Sequence, residues 1–572
     1  MDIFEPDRPS GYVPRTAKNH IWQQIEKLGR LLILAALLFY AGITFAQGDD
    51  PVQPDFRDVS KASGFVAPRH GDGKTTGQAW GDYDQDGWLD IYVTDSAGPN
   101  ILYRNNGDGT FTISPLSESV ALWEEESGGA IFADYDNDGW PDLYVMNWGP
   151  NVLFHNEQGL GFHDVTETAG VGDANNGSSA SWGDYDQDGF LDLYVANWAC
   201  SPRCARPIWG DADRLYHNNG DGTFSDVSLL LGGSTNGAGF VATFVDYDND
   251  GDLDIYLVND EFINPIGNKL WRNDGPGCDG HCFTDVSEEA GADATVMGMG
   301  LATADYDADG DLDFYFSNAG AMTLLSNQGD GTFSNLAEAA GVEQPSVAWG
   351  TLFFDYNNDG WLDLYLAVME GLEGKTAENL LFENEGDGTF NNVSTSSGAD
   401  DPGRSTGVAY ADYDADGRVD LVVGNYDSGY RLYRNESEEG ETNNWLAIKL
   451  VGDGPVNRDA VGGRVTVLDS DGRSQMQEVK NGSSLGAGNT LTLHYGLGDT
   501  QVEKVMIHWP DGTEQDWGRL KSNEAHIIQY GQAPQTRFRP AIIITIIVLV
   551  SLLMILIIRS RHGAKISRDT KK

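Results

Sequence analysis

One nine-residue phrase, D-Y-D/N-x-D-G-x-x-D, occurs seven times in the chain, beginning at residues 82, 134, 184, 246, 305, 355 and 412. A period of 50 to 62 residues is too long for a solenoid turn and too regular for chance. Each phrase is followed by an alternating stretch such as LDLYVAN, and then in most units by a second phrase such as LYRNNGDGTF. In the first unit the strand-like stretches are GQAWGDY, LDIYVTD, NILYRNN and TFTIS. Four short strands in about fifty residues make one blade of a β-propeller. The sequence therefore predicts an all-β chain with a seven-bladed propeller over residues 47–435. The phrase FRDVS at Phe56 matches the stretch that elsewhere follows GDGTF, and the last unit, which stops at Asn435, lacks its own. Residues 56–60 are thus expected to complete the last blade and close the ring. A linear wire of acidic loops is the alternative, but it leaves no room for four strands between successive loops.

The repeated phrase also carries chemistry. In a tight loop, side chains at positions 1, 3 and 5 converge, the glycine at 6 allows a sharp reversal, and a carbonyl at 7 joins them. A carboxylate at 9 completes an oxygen set suited to Ca2+, which takes six to eight oxygens; Mg2+ prefers octahedral geometry with retained waters. The expected ligands, loop by loop, are Asp82, Asp84, Asp86 and Asp90; Asp134, Asp136, Asp138 and Asp142; Asp184, Asp186, Asp188 and Asp192; Asp246, Asp248, Asp250 and Asp254; Asp305, Asp307, Asp309 and Asp313; Asp355, Asn357, Asp359 and Asp363; and Asp412, Asp414, Asp416 and Asp420. Up to seven Ca2+ ions are expected, with the sixth loop weakest because Asn357 replaces a carboxylate. An EF-hand is excluded, since position 12 of the first loop is Val93, within a strand. The formal charge of −52 fits a cation-holding protein and argues against a nucleic-acid partner, which needs a basic footprint.

After a charged linker, residues 443–530 read as a small β-rich domain with strand-like phrases WLAIKL, GRVTVLD and KVMIHWPDG. Two apolar segments flank the whole. Residues 541–558 hold eighteen residues without a charge and are followed by a basic tail, 559–572, so a transmembrane helix with a cytoplasmic tail is expected. Residues 31–46, preceded by Lys27 and Arg30 at the end of a cytoplasmic or signal n-region of residues 1–30, read either as a cleaved signal peptide or as an uncleaved anchor. Both readings place the large domain outside the cytoplasm, extracellular or periplasmic.

There the close pairs Cys200/Cys204 and Cys278/Cys282 are expected to form local disulfides. A shared four-cysteine zinc site is disfavoured because the strand order puts the two pairs on opposite faces. The G-x-S-x-G match at Gly482–Gly486 has no following helix and reads as accidental, and Gly73-Lys74-Thr75 lacks the first glycine of a phosphate loop. The longest connections after the second strand, 197–213 and 259–269, carry Trp198, Trp209 and Phe262 on the face opposite the acidic loops, and with Trp148 of the neighbouring blade-two loop they are the candidate ligand face.

The acidic loops, with the later phrases NRDAVGGRV and HYGLGD…VMIHWPDG, resemble the FG-GAP/VCBS-repeat propellers, and within them the cartilage acidic protein family with its ASPIC/UnbV domain. That resemblance implies calcium in hairpin loops on one face and a role in adhesion or matrix interaction. No Arg-Gly-Asp occurs in the chain. The reading is a membrane-anchored calcium-binding module for a protein or glycan ligand, not an enzyme. A propeller-based enzyme acting on polysaccharide or lipid, and a scaffold subunit of an envelope complex, are the alternatives.

Overall fold

The computed structural model describes residues 54–533, apart from 68–69, 72–73, 75, 200–209, 234, 279, 375–377 and 483. The segments 1–46 and 534–572, with both apolar stretches, lie outside the described residues, as do Cys200, Cys204 and Trp209. Among the described residues no helix is long and apolar enough to cross a membrane.

Each repeat supplies four antiparallel strands; four repeats stand as separate four-stranded sheets, the fifth and sixth join in one eight-stranded sheet, and the first gains the parallel pair Ala487–Gly488 as a fifth strand. In the second unit the strands are Ser127–Ala133, Asp142–Asn147, Val152–Asn156 and Phe162–Asp164. Position in the sheet dictates composition. First strands such as Gly177–Gly183 and Gly298–Ala304 are rich in Gly, Ala and Ser. They pack against the first strands of both neighbouring units, and Ser405–Ala411 of the last unit packs against Gln78–Gly81 of the first. Second strands such as Asp192–Asn197 are buried at every position, because sheets cover both faces. Fourth strands such as Phe224–Asp226 bury one residue and expose two, as outer edges do. In the last unit the fourth strand comes from the start of the chain: Phe56–Asp58 pairs antiparallel with Asn435–Tyr433.

Two contacts fasten each unit to the next. The motif tyrosine packs on the outer-strand phenylalanine of the following unit, as in Tyr83–Phe162 (6.0 Å), Tyr135–Phe224 (5.8 Å) and, across the seam, Tyr413–Phe111 (5.4 Å). The same tyrosine's carbonyl accepts a hydrogen bond from a buried asparagine of the third strand of that following unit: Asn156 to Tyr83 (2.9 Å), Asn218 to Tyr135 (2.9 Å), Asn273 to Tyr185 (2.8 Å). Asn105 reaches Tyr413 (2.9 Å), so the first unit grips the last as any unit grips its predecessor.

The C-terminal domain is built from two sheets, one of Asn444–Val451, Leu493–Gly498 and Ala525–Gln529, the other of Arg464–Asp469, Ser474–Glu478, Val502–His508 and Glu514–Gly518. The expected linker contains a short helix, Glu438–Thr442, whose N-cap Ser437 accepts a bond from Gly440. Residues 55–533 behave as one compact unit, because the connection 480–490 runs through the middle of the ring. Asn481 Nδ2 donates to Phe132 (2.8 Å) and its carbonyl accepts from Trp182 (2.9 Å). Gly482 O accepts from Thr243 (3.3 Å), Ser484 N donates to Leu301 (2.8 Å), and Thr351 N donates to Ser484 Oγ (3.2 Å). Ala487–Gly488 pairs in parallel with Gln78–Ala79, and Tyr410 N donates to Asn489 Oδ1 (3.0 Å). Every unit's first strand thus touches this one connection. The Gly-Ser pattern that mimics a catalytic elbow is a narrow plug. At Gly482, with φ of 99°, a Cβ would lie 2.3 Å from the Ala180 carbonyl oxygen.

Candidate metal loops and a central pocket

All seven acidic phrases adopt one loop conformation. The glycine at position 6 is left-handed throughout, φ 86–95°, and so is position 4, although it is Gln85, Asn137, Gln187, Asn249, Ala308, Asn358 or Ala415. Two left-handed residues flanking position 5 fold the loop back on itself, and the side chains at 1, 3 and 5 turn inward. Position 1 accepts the glycine amide, as in Gly87 to Asp82 (3.0 Å) and Gly251 to Asp246 (3.1 Å). Position 5 accepts the amide at 7, as in Phe190 to Asp188 (2.9 Å).

The carboxylate at position 9 has a double role that the spacing did not reveal. Asp90, fully buried, accepts the amides of Tyr83 (3.3 Å) and Asn105 (2.8 Å). The equivalents at Asp142, Asp192, Asp254, Asp313, Asp363 and Asp420 do the same. Position 9 therefore ties each loop to its own third strand while leaving further lone pairs free.

Gathering carboxylates in a partly dry loop is unfavourable in itself. Burial, reinforced by the neighbouring carboxylates, pushes Asp90 up to about 8 and Asp313 up to about 9, and raises Asp184 and Asp420 well above the usual range. Oδ1 of Asp134, Asp186, Asp248, Asp305, Asp307 and Asp414 is buried with no hydrogen-bond partner. Buried polar atoms without partners are rare and call for an explanation. Convergent oxygens of this kind form the donor set that a hard divalent cation takes.

A further side chain, the one directly before the buried asparagine of the third strand, overhangs each loop and was missed by the motif because it lies well downstream. It is Arg104, His155, His217, Arg272, Ser326, Glu383 or Arg434. Arg104 bridges Asp84 (2.6 Å) and Asp86 (2.7 Å). In the sixth loop Glu383 lies 3.3 Å from Asn357 Nδ2, restoring a fourth carboxylate. The loop phrase itself is one carboxylate short, and Glu383 stands beside that position from the third strand.

The C-terminal domain sits on this acidic face. Asp459 accepts the amide of Asp134 (2.9 Å), and Arg458 N donates to Asn137 (2.8 Å). Arg464, held by Glu478 (2.9 Å), lies 3.3 Å from Asp246, and Arg473 donates to the Asp359 carbonyl (2.8 Å). The NRDAVGGRV phrase is thus the domain's grip on the loops.

At the opposite face, where first strands begin and second strands end, a cavity of about 280 Å3 opens over the plug residue Leu485. Trp148, Trp198, Phe240, Trp349 and Tyr426 line it. Trp148 and Trp198 are 6.2 Å apart, Trp198 Nε1 donates to Asp260 (2.9 Å), and Lys74 Nζ sits 4.3 Å over the Trp148 ring. Phe262 is 77% exposed and does not line the cavity. Cys278 and Cys282 form a disulfide within a third-to-fourth-strand turn.

Repeated four-stranded sheets with an acidic hairpin loop in each define a β-propeller of the FG-GAP kind. The FG-GAP-like repeat family matches residues 82–145, 134–195, 208–257, 305–366 and 368–423, and the ASPIC and UnbV family matches 453–535. The chain is an FG-GAP-repeat propeller protein carrying an ASPIC and UnbV domain. Cartilage acidic protein 1 of Homo sapiens is 44% identical over 70 residues, 12% of this chain and 11% of that protein. The chain thus spans about a tenth of the length of the curated relatives it matches. Among solved structures, an Agrocybe aegerita lectin that recognises non-reducing terminal N-acetylglucosamine is 22% identical, with a TM-score of 0.36 over 56% of this chain and 79% of that one. The WD40 β-propeller domain of Doa1 is 11% identical, with a TM-score of 0.39 over 65% and 97%.

Proposed function

We propose that this chain is a seven-bladed, calcium-stabilised propeller, tethered to a membrane with its large domain extracellular or periplasmic, that serves as an interaction module for a protein or glycan partner and not as an enzyme. The observation that carries the reading is the set of buried carboxylate oxygens without partners, repeated around the loops. Calcium would be held by positions 1, 3, 5 and 9 of each loop, and it would supply charge compensation and cross-bracing. The aromatic cavity opposite the loops is the natural contact for a partner, since exposed tryptophans mark binding surfaces. The tether rests on the apolar run 541–558 and the six Lys/Arg of the tail beyond it. An adhesion role is the form of interaction this arrangement favours.

Extracellular calcium modules bind at roughly 10⁻⁴–10⁻³ M, so about 1 mM calcium stabilises a 10⁻⁴ M site by roughly 1.4 kcal/mol. Seven independent loops reach on the order of 10 kcal/mol, the whole stability of an ordinary domain. Chelation is expected to lower the melting temperature steeply, with recovery in calcium and far less in magnesium. A melting temperature indifferent to chelator, together with no calcium by metal analysis, would overturn the reading. Orientation is checked separately: protease added to intact cells should digest the propeller and spare the tail, and a protected propeller would reject the topology.

A further inference from the structure

The seven loops share one backbone, so the overhanging side chain acts as an internal comparison. In the first loop it is a guanidinium, which already places a cation on Asp84 and Asp86. In the sixth it is Glu383, which keeps the donor set all-oxygen. In the second and third loops it is an imidazole, and the two rings occupy matching positions. His155 Nδ1 lies 3.1 Å from Asp142 Oδ1 and 3.4 Å from Asp136 Oδ2. His217 Nδ1 lies 3.2 Å from Asp192 Oδ1 and 3.3 Å from Asp186 Oδ2. Two ligands held at zinc bond lengths of about 2.0–2.1 Å on a tetrahedral ion are roughly 3.3 Å apart.

A second observation points to a ligand here. His155 Nδ1 is buried and makes no hydrogen bond despite its two carboxylate neighbours, and Oδ1 of Asp134, whose residue is only 2% exposed, is likewise unpartnered. The donor atoms of Asp136, Asp142 and His155 all lie within 4.8 Å of one another, as do those of Asp134, Asp136 and Asp138. In the third loop His217 Nδ1 is hydrogen-bonded to Asp192 Oδ1 (3.2 Å), and it is Asp186 Oδ1 that is buried without a partner. Calcium and magnesium prefer oxygen, whereas an imidazole nitrogen beside carboxylates suits zinc and its first-row neighbours.

We propose that the second and third loops are mixed nitrogen–oxygen sites that bind a divalent transition metal of the zinc class, His155 with Asp136 and Asp142, and His217 with Asp186 and Asp192, while the other loops remain all-oxygen sites. The proposal rests on the reading that the loops hold cations, and replaces calcium by a zinc-class ion at these two loops, leaving five for calcium.

The test loads the full-length chain with zinc chloride in the presence of excess calcium, removes free metal, and measures metal content and zinc X-ray absorption. The expected result is about two zinc ions per chain with imidazole scattering. His155→Gln and His217→Gln should each remove one ion and the double variant both, while all three keep the calcium-dependent melting temperature. The absorption spectrum of the unmodified chain decides the ligand type even where a variant folds poorly. Loss of all zinc to excess calcium overturns the proposal, as does retained zinc without imidazole or zinc that persists in the double variant. In those cases an intact chelator response leaves the calcium reading standing. A melt indifferent to chelator removes both.

Discussion

Asn105→Ala probes the seam of the ring. The Asn105 side chain is fully buried, with Nδ2 donating to Leu89 O (3.1 Å) and Tyr413 O (2.9 Å) and Oδ1 accepting from Gly107 N (3.0 Å). Three hydrogen bonds at about 1 kcal/mol each set the loss at about 3 kcal/mol, because the two buried carbonyls gain no new donor. Asn105→Asp should be worse by at least about 1 kcal/mol. Its carboxylate cannot donate, faces the same two carbonyls, and stands beside Asp90, which already accepts the Asn105 amide (2.8 Å). The assay is urea unfolding in calcium-containing buffer followed by both tryptophan fluorescence and circular dichroism. Coincident transitions are required, since a chain of seven repeated units is not guaranteed to unfold in one step. An aspartate tolerated as well as alanine, or two variants both within about 1 kcal/mol of the parent, would refute the donor argument. Asn218→Ala, which cuts the same bonds between ordinary neighbours, should match Asn105→Ala.

Two further outcomes follow from the C-terminal domain. Burial holds His494 down to about 4 from its usual 6.5, so its contribution is whole above pH 6.5 and is lost as pH falls through 4. With part of the ring still exposed, about 2 kcal/mol is expected, and His494→Gln should flatten the acid limb of the stability curve relative to the parent; identical acid limbs would reject it. Gly482→Ala places a methyl against the Ala180 carbonyl at a φ of 99°, whereas Gly222, at φ 84°, has open space around its Cβ position. The first should cost more than about 2 kcal/mol and open residues 480–490 to limited proteolysis, the second only about 1 kcal/mol; equal effects would mean that the plug yields freely.

The blades were legible because a nine-residue phrase and a two-residue alternation recur in phase, and because FRDVS stands displaced at the wrong end of the chain. The pairing of Phe56–Asp58 with the last unit follows from that displacement alone. The plug was not legible, since a connection that must slip between first strands is made of small residues and shows no apolar period. His155, His217 and Glu383 were missed for another reason. They approach the loops across the sheet from the third strand, and a motif read along the chain does not see a neighbour across it. The helix at Glu438–Thr442 hid in a charged run whose composition matches a linker, though Ser437 ahead of two glutamates is a capping signal. Trp148 and Trp198 share a cavity with Trp349 and Tyr426, whose place there depends on ring curvature and not on local sequence.

The plug also fixes an order of events during synthesis. Among the described residues the first strand, Phe56–Asp58, has its partner some 370 residues later, as the 372-residue separation of Ser60 and Leu432 shows. Closing so long a segment carries an entropic term of roughly 5 kcal/mol before any contact offsets it. Residues 480–490 emerge later still, so the first strands of all seven units must wait, partly unlined, for a segment that does not yet exist. A nascent chain cannot secure its blades one at a time as a linear repeat array can. Maturation is tied to completion of the C-terminal domain, and a chain interrupted before residue 490 leaves glycine-rich strand edges open to proteases and to other nascent copies.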